Sequence, residues 1–390
     1  MSSSYGFRSI ESIAESGKPL SDTGGGRSFV NADYRITFQS VVENPDPRKD
    51  AAALLDFDGQ DGLRQMYLAA VQTPGFLAAG ILNFYEYGFF ETCALPIDVF
   101  RREALIGEPI CWGIDFATWY AEQNRLDALL DLNFSRRYID SIVRQLNSHT
   151  VRGEAVIMSA PGQEIYGHWL LDIVPRLYVL NQAGHDAQKI YFHNVPDWAY
   201  FFLKAMNIDP ARLRYHPAPF FKVDSAIVPT GSKSGYRLGA DSLKAACAQV
   251  LAFYEEPDID QDLLGEKIFF SRRRLVHNTR RSVANLDEVE ALMSRRGYKI
   301  VAPEMLSIPQ QIRLMRTARI VVGEDGSALH NIIFCEEGAR LGVLTLPERS
   351  NLWHLGICQI LNHKIAYCGL PEEGNFDLSI LDQFLNRLES

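Results

Sequence analysis

What the chain lacks narrows its function before any motif is read. Its six cysteines (Cys93, Cys111, Cys247, Cys335, Cys358 and Cys368) form no CxxC pair and no Cys/His array. That speaks against a structural zinc site and a disulfide framework, so reduced thiols are expected. No window reaches the roughly 18 apolar residues of a membrane span. The nearest approach, residues 75–90, is interrupted by Asn83 and Glu86 and reads as core or interface. The amino-terminal MSSSYGFRSIESIAESGKPL has no basic stretch followed by an apolar one, and no leader is read in it. A cytoplasmic protein is expected, with at most peripheral contact at the inner face of a membrane. The pattern GxGxxG is absent, which disfavours a dinucleotide-dependent dehydrogenase. Solenoid-period repeats and low-complexity blocks are missing as well. Basic charge is in the minority: 39 Lys and Arg stand against 48 Asp and Glu, a formal charge of −9. The overall field therefore repels nucleic acid, and any anion site has to be built locally.

What is present suits a two-lobed protein. With 390 residues, 47% of them hydrophobic and 22% charged, the chain can form two globular domains of roughly 150–200 residues each. Residues 1–28, rich in Ser and Gly and holding the run Gly24, Gly25, Gly26, read as a flexible tail. Residues 29–235 are expected to form an N-terminal lobe, 236–375 a C-terminal lobe, and 376–390 an amphipathic helix docking back on the lobes. Within the first lobe, 50–147 reads as a mostly helical insertion or extension, from the spacing of Leu126, Leu129, Leu130 and Leu132, then Ile139, Ile142, Val143 and Leu146. After Gly153 short apolar runs alternate with helical periodicity. Strands are predicted over 155–158, 190–192, 226–228, 267–270, 299–301, 319–322 and 341–346, and helices over 240–255, 286–296, 308–318 and 327–335. The fold class is α/β, and beyond Pro257 the alternation is that of a doubly wound, Rossmann-like sheet.

Three segments carry residues suited to chemistry. In Tyr166 to Arg176 (YGHWLLDIVPR), an α-helix would put His168, Asp172 and Arg176 on one face and Trp169, Ile173, Leu177 and Leu180 on the other. An imidazole beside a carboxylate is held in one tautomer and can take a proton from a hydroxyl. The same spacing also suits an exposed face laced by i,i+4 ion pairs, and both readings stand here. The second segment, Ser271 to Arg281 (SRRRLVHNTRR), has five arginines and no acidic residue, directly after a predicted strand. Ligands of open α/β sheets bind beyond the carboxyl ends of strands, and the planar guanidinium fork suits a diphosphate. A solvated basic loop is the alternative. The third, Gly323 to Asn331 (GEDGSALHN), again follows a predicted strand. There Gly326 lets the chain turn, Ser327 can cap, and the first helical amides can face an anion or a ribose. Glu324 and Asp325 fit sugar hydroxyls, or a carboxylate facing a reacting centre, better than a bare phosphate.

Taken together, these segments resemble glycosyltransferase family 61, a family typical of capsular polysaccharide loci. The residues carrying the resemblance are Gly167, His168, Asp172, Pro175 and Arg176; FFSRRR with Arg281 and Asn285; Ala302, Pro303, Glu304, Ser307 and Gln311; and Gly323, Gly326, Ala328, Leu329 and Asn331. They extend over roughly 155–346. Two positions depart from the family pattern: Asp325 stands where a His is common, and Leu286 where an acidic residue is.

The resemblance implies a GT-B-like architecture, two Rossmann-like lobes facing across a cleft, with inversion at the anomeric carbon. It implies a nucleoside diphosphate-sugar donor, UDP-linked, and a glycan or lipid-linked glycan acceptor, in bacterial surface polysaccharide synthesis. His168 is then the first candidate for the base, oriented by Asp172, and Asp325 the second. Donor contacts fall to Arg272, Arg273, Arg281, Glu324, Gly326, Ser327 and Asn331, and acceptor or cleft contacts to Tyr166 and Arg176. No cofactor or metal is expected: the acidic triplets 56–58 (DFD) and 258–260 (DID) follow no convincing strand of the nucleotide lobe. A homo-oligomer is allowed. The alternative is a non-catalytic nucleotide- or glycan-binding module of the same fold.

Overall fold

The computed structural model describes residues 18–19, 28–31, 36–43, 55–56, 78–90, 93–96, 112–113, 144, 148–158, 162–218, 220–230, 233–234, 237–275, 283–345, 351–369 and 375–390. The chain divides into two compact units, one of residues 1–45, 75–235 and 241–246 and the other of 46–74, 236–240 and 247–390. Among the described residues, no helix is long and apolar enough to cross a membrane.

The first unit is built on a mixed sheet. Its parallel strands, numbered here through both units, are β1 (Thr150–Ile157), β2 (Ile190–Phe192), β3 (Leu213–Tyr215) and β4 (Phe220–Pro229). They lie in the spatial order β3-β2-β1-β4. The chain order turns round between β1 and β4, and beyond the carboxyl ends of two such strands a parallel sheet opens a crevice.

Past β4 the sheet continues antiparallel through Ala78–Phe90, Ile36–Glu43, Ser28–Asn31 and Lys18–Pro19. Within 50–147, expected to be mostly helical, the described residues 55–56, 78–90, 93–96 and 112–113 are strand and Arg144 is helical. The apolar residues at 126–146 on which that expectation was based lie outside the described residues. At 78–90 the departure has a physical cause. Ala78–Phe90 is paired on both sides, and Ala79, Ile81, Leu82 and Phe84 are all buried. With both faces covered, the period of two is erased and the run looks like a buried helix. Lys18–Pro19, in the stretch read as a tail, pairs with Ser28–Asn31.

The second unit has a wholly parallel sheet: β5 (Lys267–Phe270), β6 (Lys299–Val301), β7 (Ile320–Glu324), β8 (Arg340–Thr345) and β9 (Lys364–Gly369). The spatial order is β6-β5-β7-β8-β9, extended by Leu55–Asp56. This is the flavodoxin-like order, with its switch point between β5 and β7. All five residues of β7 are buried, as expected of a central parallel strand. The segment 327–335, expected as an α-helix, is a 3₁₀ helix over Ser327–Phe334.

The terminal helix Leu378–Glu389 lies in this second unit, burying Leu381, Phe384, Leu385 and Leu388. Gly342 in β8 makes room for it, because a Cβ there would come 2.8 Å from a Leu388 methyl. Arg296 fastens the helix through Asp382 at 2.6 Å and Glu389 at 3.1 Å, and Lys267 reaches Glu389 at 2.9 Å.

A buried histidine makes this unit sensitive to acid. His363 is 1% exposed, next to Asn362, whose φ is 55°. Burial pushes the His363 pKa down to about 4, against weaker upward pulls from the Ile332 main chain and Glu337. The unfolded chain, with an ordinary His pKa near ~6.5, therefore takes up the proton first as pH falls. Stability contributed by the neutral ring is full above ~6.5 and is lost between ~6.5 and ~4, by on the order of 3 kcal/mol. Urea unfolding of His363→Leu and the parent at pH 7.5 and 4.5 should show a shallower pH slope in the variant. Equal slopes would refute the assignment.

Candidate functional site

At the carboxyl edge of the first unit, strand-end carbonyls need donors. Arg176 supplies them: Nε donates to Pro229 O at 2.6 Å, Nη2 to Ile157 O at 3.2 Å and Nη1 to Met158 O at 3.4 Å. One guanidinium thus ties the ends of β1 and β4 at the switch point. Arg176 is only 4% exposed, so its place is beneath the edge, as a clamp on main chain.

Arg176 belongs to a helix, α1, whose course is not regular. It is α-helical over Tyr166–His168, π-helical over Trp169–Ile173 and α-helical again over Val174–Gln182. In the wide turn, Val174 N–H donates to Trp169 O, five residues back. Pro175 gives the reason. It has no N–H for Leu171 O and its ring would crowd that carbonyl in a regular helix; a π turn absorbs the misfit. The bulge coincides with the expected chemistry. His168 Nδ1 lies 2.7 Å from Asp172 Oδ2, with side-chain exposures of 13% and 6%. An ionised carboxylate only accepts, so Nδ1 carries the proton and the lone pair of the neutral ring is on Nε2.

Two neighbours escaped the sequence reading. Gly162 has φ +68°, and a Cβ there would lie 2.8 Å from His168 Cδ2 and 3.0 Å from Nε2. Gln163, 1% exposed, donates to Met158 O at 3.2 Å and accepts from His193 N at 2.8 Å and Asn194 N at 3.1 Å. Its own carbonyl accepts from Trp169 Nε1 at 2.6 Å. The dipeptide Pro161-Gly162 is the one signal that could have marked this turn. Tyr166 meets Trp198 edge to face, with ring centroids 5.5 Å apart.

The second unit presents its own edge, at the β5/β7 switch point. Glu324, the last residue of β7, is 4% exposed; it accepts from Arg272 N at 2.9 Å and Val283 N at 3.2 Å. One carboxylate thereby holds Arg272 and Val283 at the same strand end. Burial raises the Glu324 pKa, and the two amide donors pull the other way. Arg272 Nη1 donates to Asp325 O at 3.1 Å, across Gly326. Gly326 has extended backbone angles, so any residue could adopt its conformation. Space decides its identity: a Cβ would stand 2.2 Å from Arg272 Nη1.

Asp325 is buried too, and both its oxygens are engaged. Oδ1 meets His354 Nε2 at 3.0 Å, while Oδ2 accepts from Asn351 N at 3.0 Å and Thr345 Oγ1 at 3.4 Å. His354, on the helix Trp353–Ile360, is the other residue that the sequence reading missed.

The remaining expected residues are dispersed. Arg273 faces the helix Leu286–Arg295, with Nη2 2.7 Å from Glu290 and 2.5 Å from Asp287, and those hydrogen bonds raise its pKa further. Asn331 is fully buried and donates to Gln311 Oε1 at 2.7 Å; Gln311 in turn donates to Pro303 O at 3.0 Å. Ser327 opens the 3₁₀ helix, but Gly326 holds the cap position and no side chain caps it. Arg281 lies outside the described residues. The structure therefore gathers Arg272, Glu324, Asp325 and Gly326 in one unit and Tyr166, His168, Asp172 and Arg176 in the other.

The contact between Arg272 and Gly326 is testable by a double-mutant cycle. Gly326→Ala should displace the guanidinium and cost about 1.5–3 kcal/mol, the scale of a charge-assisted hydrogen bond. In an Arg272→Ala background the same change should be nearly neutral, as read by urea unfolding. Simple additivity would disprove the coupling.

A family model described as Glycosyltransferase 61 matches residues 166–342, from the start of α1 into β8, and so covers both edges. No curated protein matches the chain. The protein carries a glycosyltransferase family 61 domain, which makes glycosyl transfer its class of reaction.

Proposed function

We propose that the protein is an inverting, GT-B-type glycosyltransferase. It takes a sugar from a UDP-linked donor and delivers it to a hydroxyl of a glycan or lipid-linked glycan, in bacterial surface polysaccharide synthesis. The observation that carries this reading is the His168–Asp172 pair, 2.7 Å apart on a π-bulged helix inside the matched region.

In the proposed step, the acceptor hydroxyl gives its proton to His168 Nε2 while its oxygen attacks the anomeric carbon from the face opposite the diphosphate. The bond from that carbon to the diphosphate oxygen breaks, configuration inverts, and the diphosphate departs with the electron pair. Its charge is met by Arg272 and, further along the same run, Arg281, with the main chain at Gly326 and Ser327 nearby. Arg273 is better suited to holding the helix that carries Glu290, and Glu324 to shaping the arginine segment. Asn331 and Arg176 act from beneath as structural polar groups, whereas Tyr166 is proposed to meet the acceptor. Asp325 is the weaker candidate for the base, since using it would detach a buried imidazole from its carboxylate.

UDP release and sugar transfer should be assayed over a panel of UDP-glucose, UDP-galactose, UDP-N-acetylglucosamine and UDP-xylose. His168→Ala is expected to lower transfer ~10²- to 10⁴-fold, the usual cost of losing a general base. Arg272→Ala should weaken UDP binding severalfold in calorimetry. Undiminished transfer by His168→Ala would overturn the base assignment, and unchanged UDP affinity would remove Arg272 from the donor site.

A further inference from the structure

We infer that Gln163 is a positioning residue for His168: its buried amide fixes the Gly162 turn against the imidazole. The inference rests on the reading of His168 as the base.

Three observations lead there. The first is the economy of the Gln163 side chain. At 1% exposure its amide group reaches two strand ends at once, giving a proton to Met158 O after β1 and taking two from the amides of His193 and Asn194 after β2. A buried primary amide with donor and acceptor both used is a rigid brace, because any rotation strands polar groups away from water. The second is the link to the bulged helix. Trp169 Nε1 donates to the main-chain carbonyl of Gln163 at 2.6 Å, and the Trp169 ring stacks on Phe192 with centroids 5.9 Å apart. Trp169 is the residue next to His168, so the brace bears on the helical turn that carries the imidazole.

The third is Gly162 itself. Its φ of +68° is one that glycine adopts without strain, and the missing Cβ lets the main chain lie close against Cδ2 and Nε2 of His168. Nε2 is the atom left with the lone pair once Nδ1–H is given to Asp172. The carboxylate therefore sets the tautomer from one side of the ring. The 162–163 turn packs against the other side and so limits where it points. Nothing in this arrangement requires Gln163 or Gly162 to touch a substrate.

The test reads the ring directly. In protein labelled with ¹⁵N-histidine, the Nδ1–H held by Asp172 should give a downfield proton signal, assigned by its absence from His168→Ala. In Gln163→Ala that signal should broaden or vanish and the two ring ¹⁵N shifts should converge toward a tautomer average, with unchanged far-UV circular dichroism. Gly162→Ala should do the same by direct contact. If Gln163→Ala does not fold, Gln163→Glu, of the same shape but lacking the donor to Met158 O, is read in its place. With the UDP-sugar panel, a positioning role lowers kcat tenfold or more while KM stays within twofold. Ring signals identical to the parent in the Gln163 and Gly162 variants would overturn the proposal. Full activity of His168→Ala with a perturbed ring in Gln163→Ala would instead overturn the base assignment alone, leaving the brace in place.

Discussion

A parallel sheet ends in carbonyls that the next strand does not satisfy, and the guanidinium of Arg176 is where this protein meets that constraint. Three carbonyls, of Ile157, Met158 and Pro229, converge on one side chain beneath the first unit's carboxyl edge. Each buried carbonyl deprived of its donor would cost about 1–3 kcal/mol, so the clamp is worth several times an exposed ion pair. Because Arg176 and His168 belong to the same helix, the interaction that closes the sheet also sets the depth at which the imidazole stands. The π turn between them is part of the same solution. It lets Pro175 lie inside the helix while His168, before the bulge, still reaches Asp172 within it.

The second unit meets a related constraint with the opposite charge. There the buried group at the switch point is an acceptor, Glu324, and what converges on it is main-chain N–H from Arg272 and Val283. Leaving a carboxylate at 4% exposure costs free energy, as the upward pull on its pKa records. Two amide donors offset part of that cost. The gain is geometric: Arg272, near the start of the arginine segment, and Val283, just after it, are both pinned to the end of β7. Gly326 then matters for the volume it does not occupy, since Arg272 passes through that space to reach the carbonyl of Asp325.

Much of this was legible in the sequence where one physical signal dominated. Short apolar strands bounded by turns, such as Ile190–Phe192, Lys267–Phe270 and Lys299–Val301, appear at the expected residues. The His168–Asp172 pairing was also visible, because four-residue spacing survives the bulge at that point. Where several tertiary partners decide, the sequence was silent or misleading. Arg273 is held by acids 14 and 17 residues further on, a pairing that depends on a helix returning alongside β5. Gly162 and Gln163 precede the recognisable motif and have ordinary residue types; their role depends on strand ends that come together only in the fold. The long strand Ala78–Phe90 shows the converse failure, a strand hidden by its own burial.

The proposal of His168 ahead of Asp325 as proton acceptor is based on what each would leave behind. Asp325 has its oxygens distributed over His354, Asn351 and Thr345, and His354 has no exposure to solvent. Protonating or redirecting that carboxylate would leave the Nε2–H of a buried imidazole without its acceptor, a penalty incurred at every turnover. His168 differs in this respect: its Nδ1–H can stay on Asp172 whether or not Nε2 is protonated. A base has to work in both protonation states, and of the two candidates only the histidine keeps its supporting hydrogen bond in each. Through His354, Asp325 also anchors the helix Trp353–Ile360 to the end of β7.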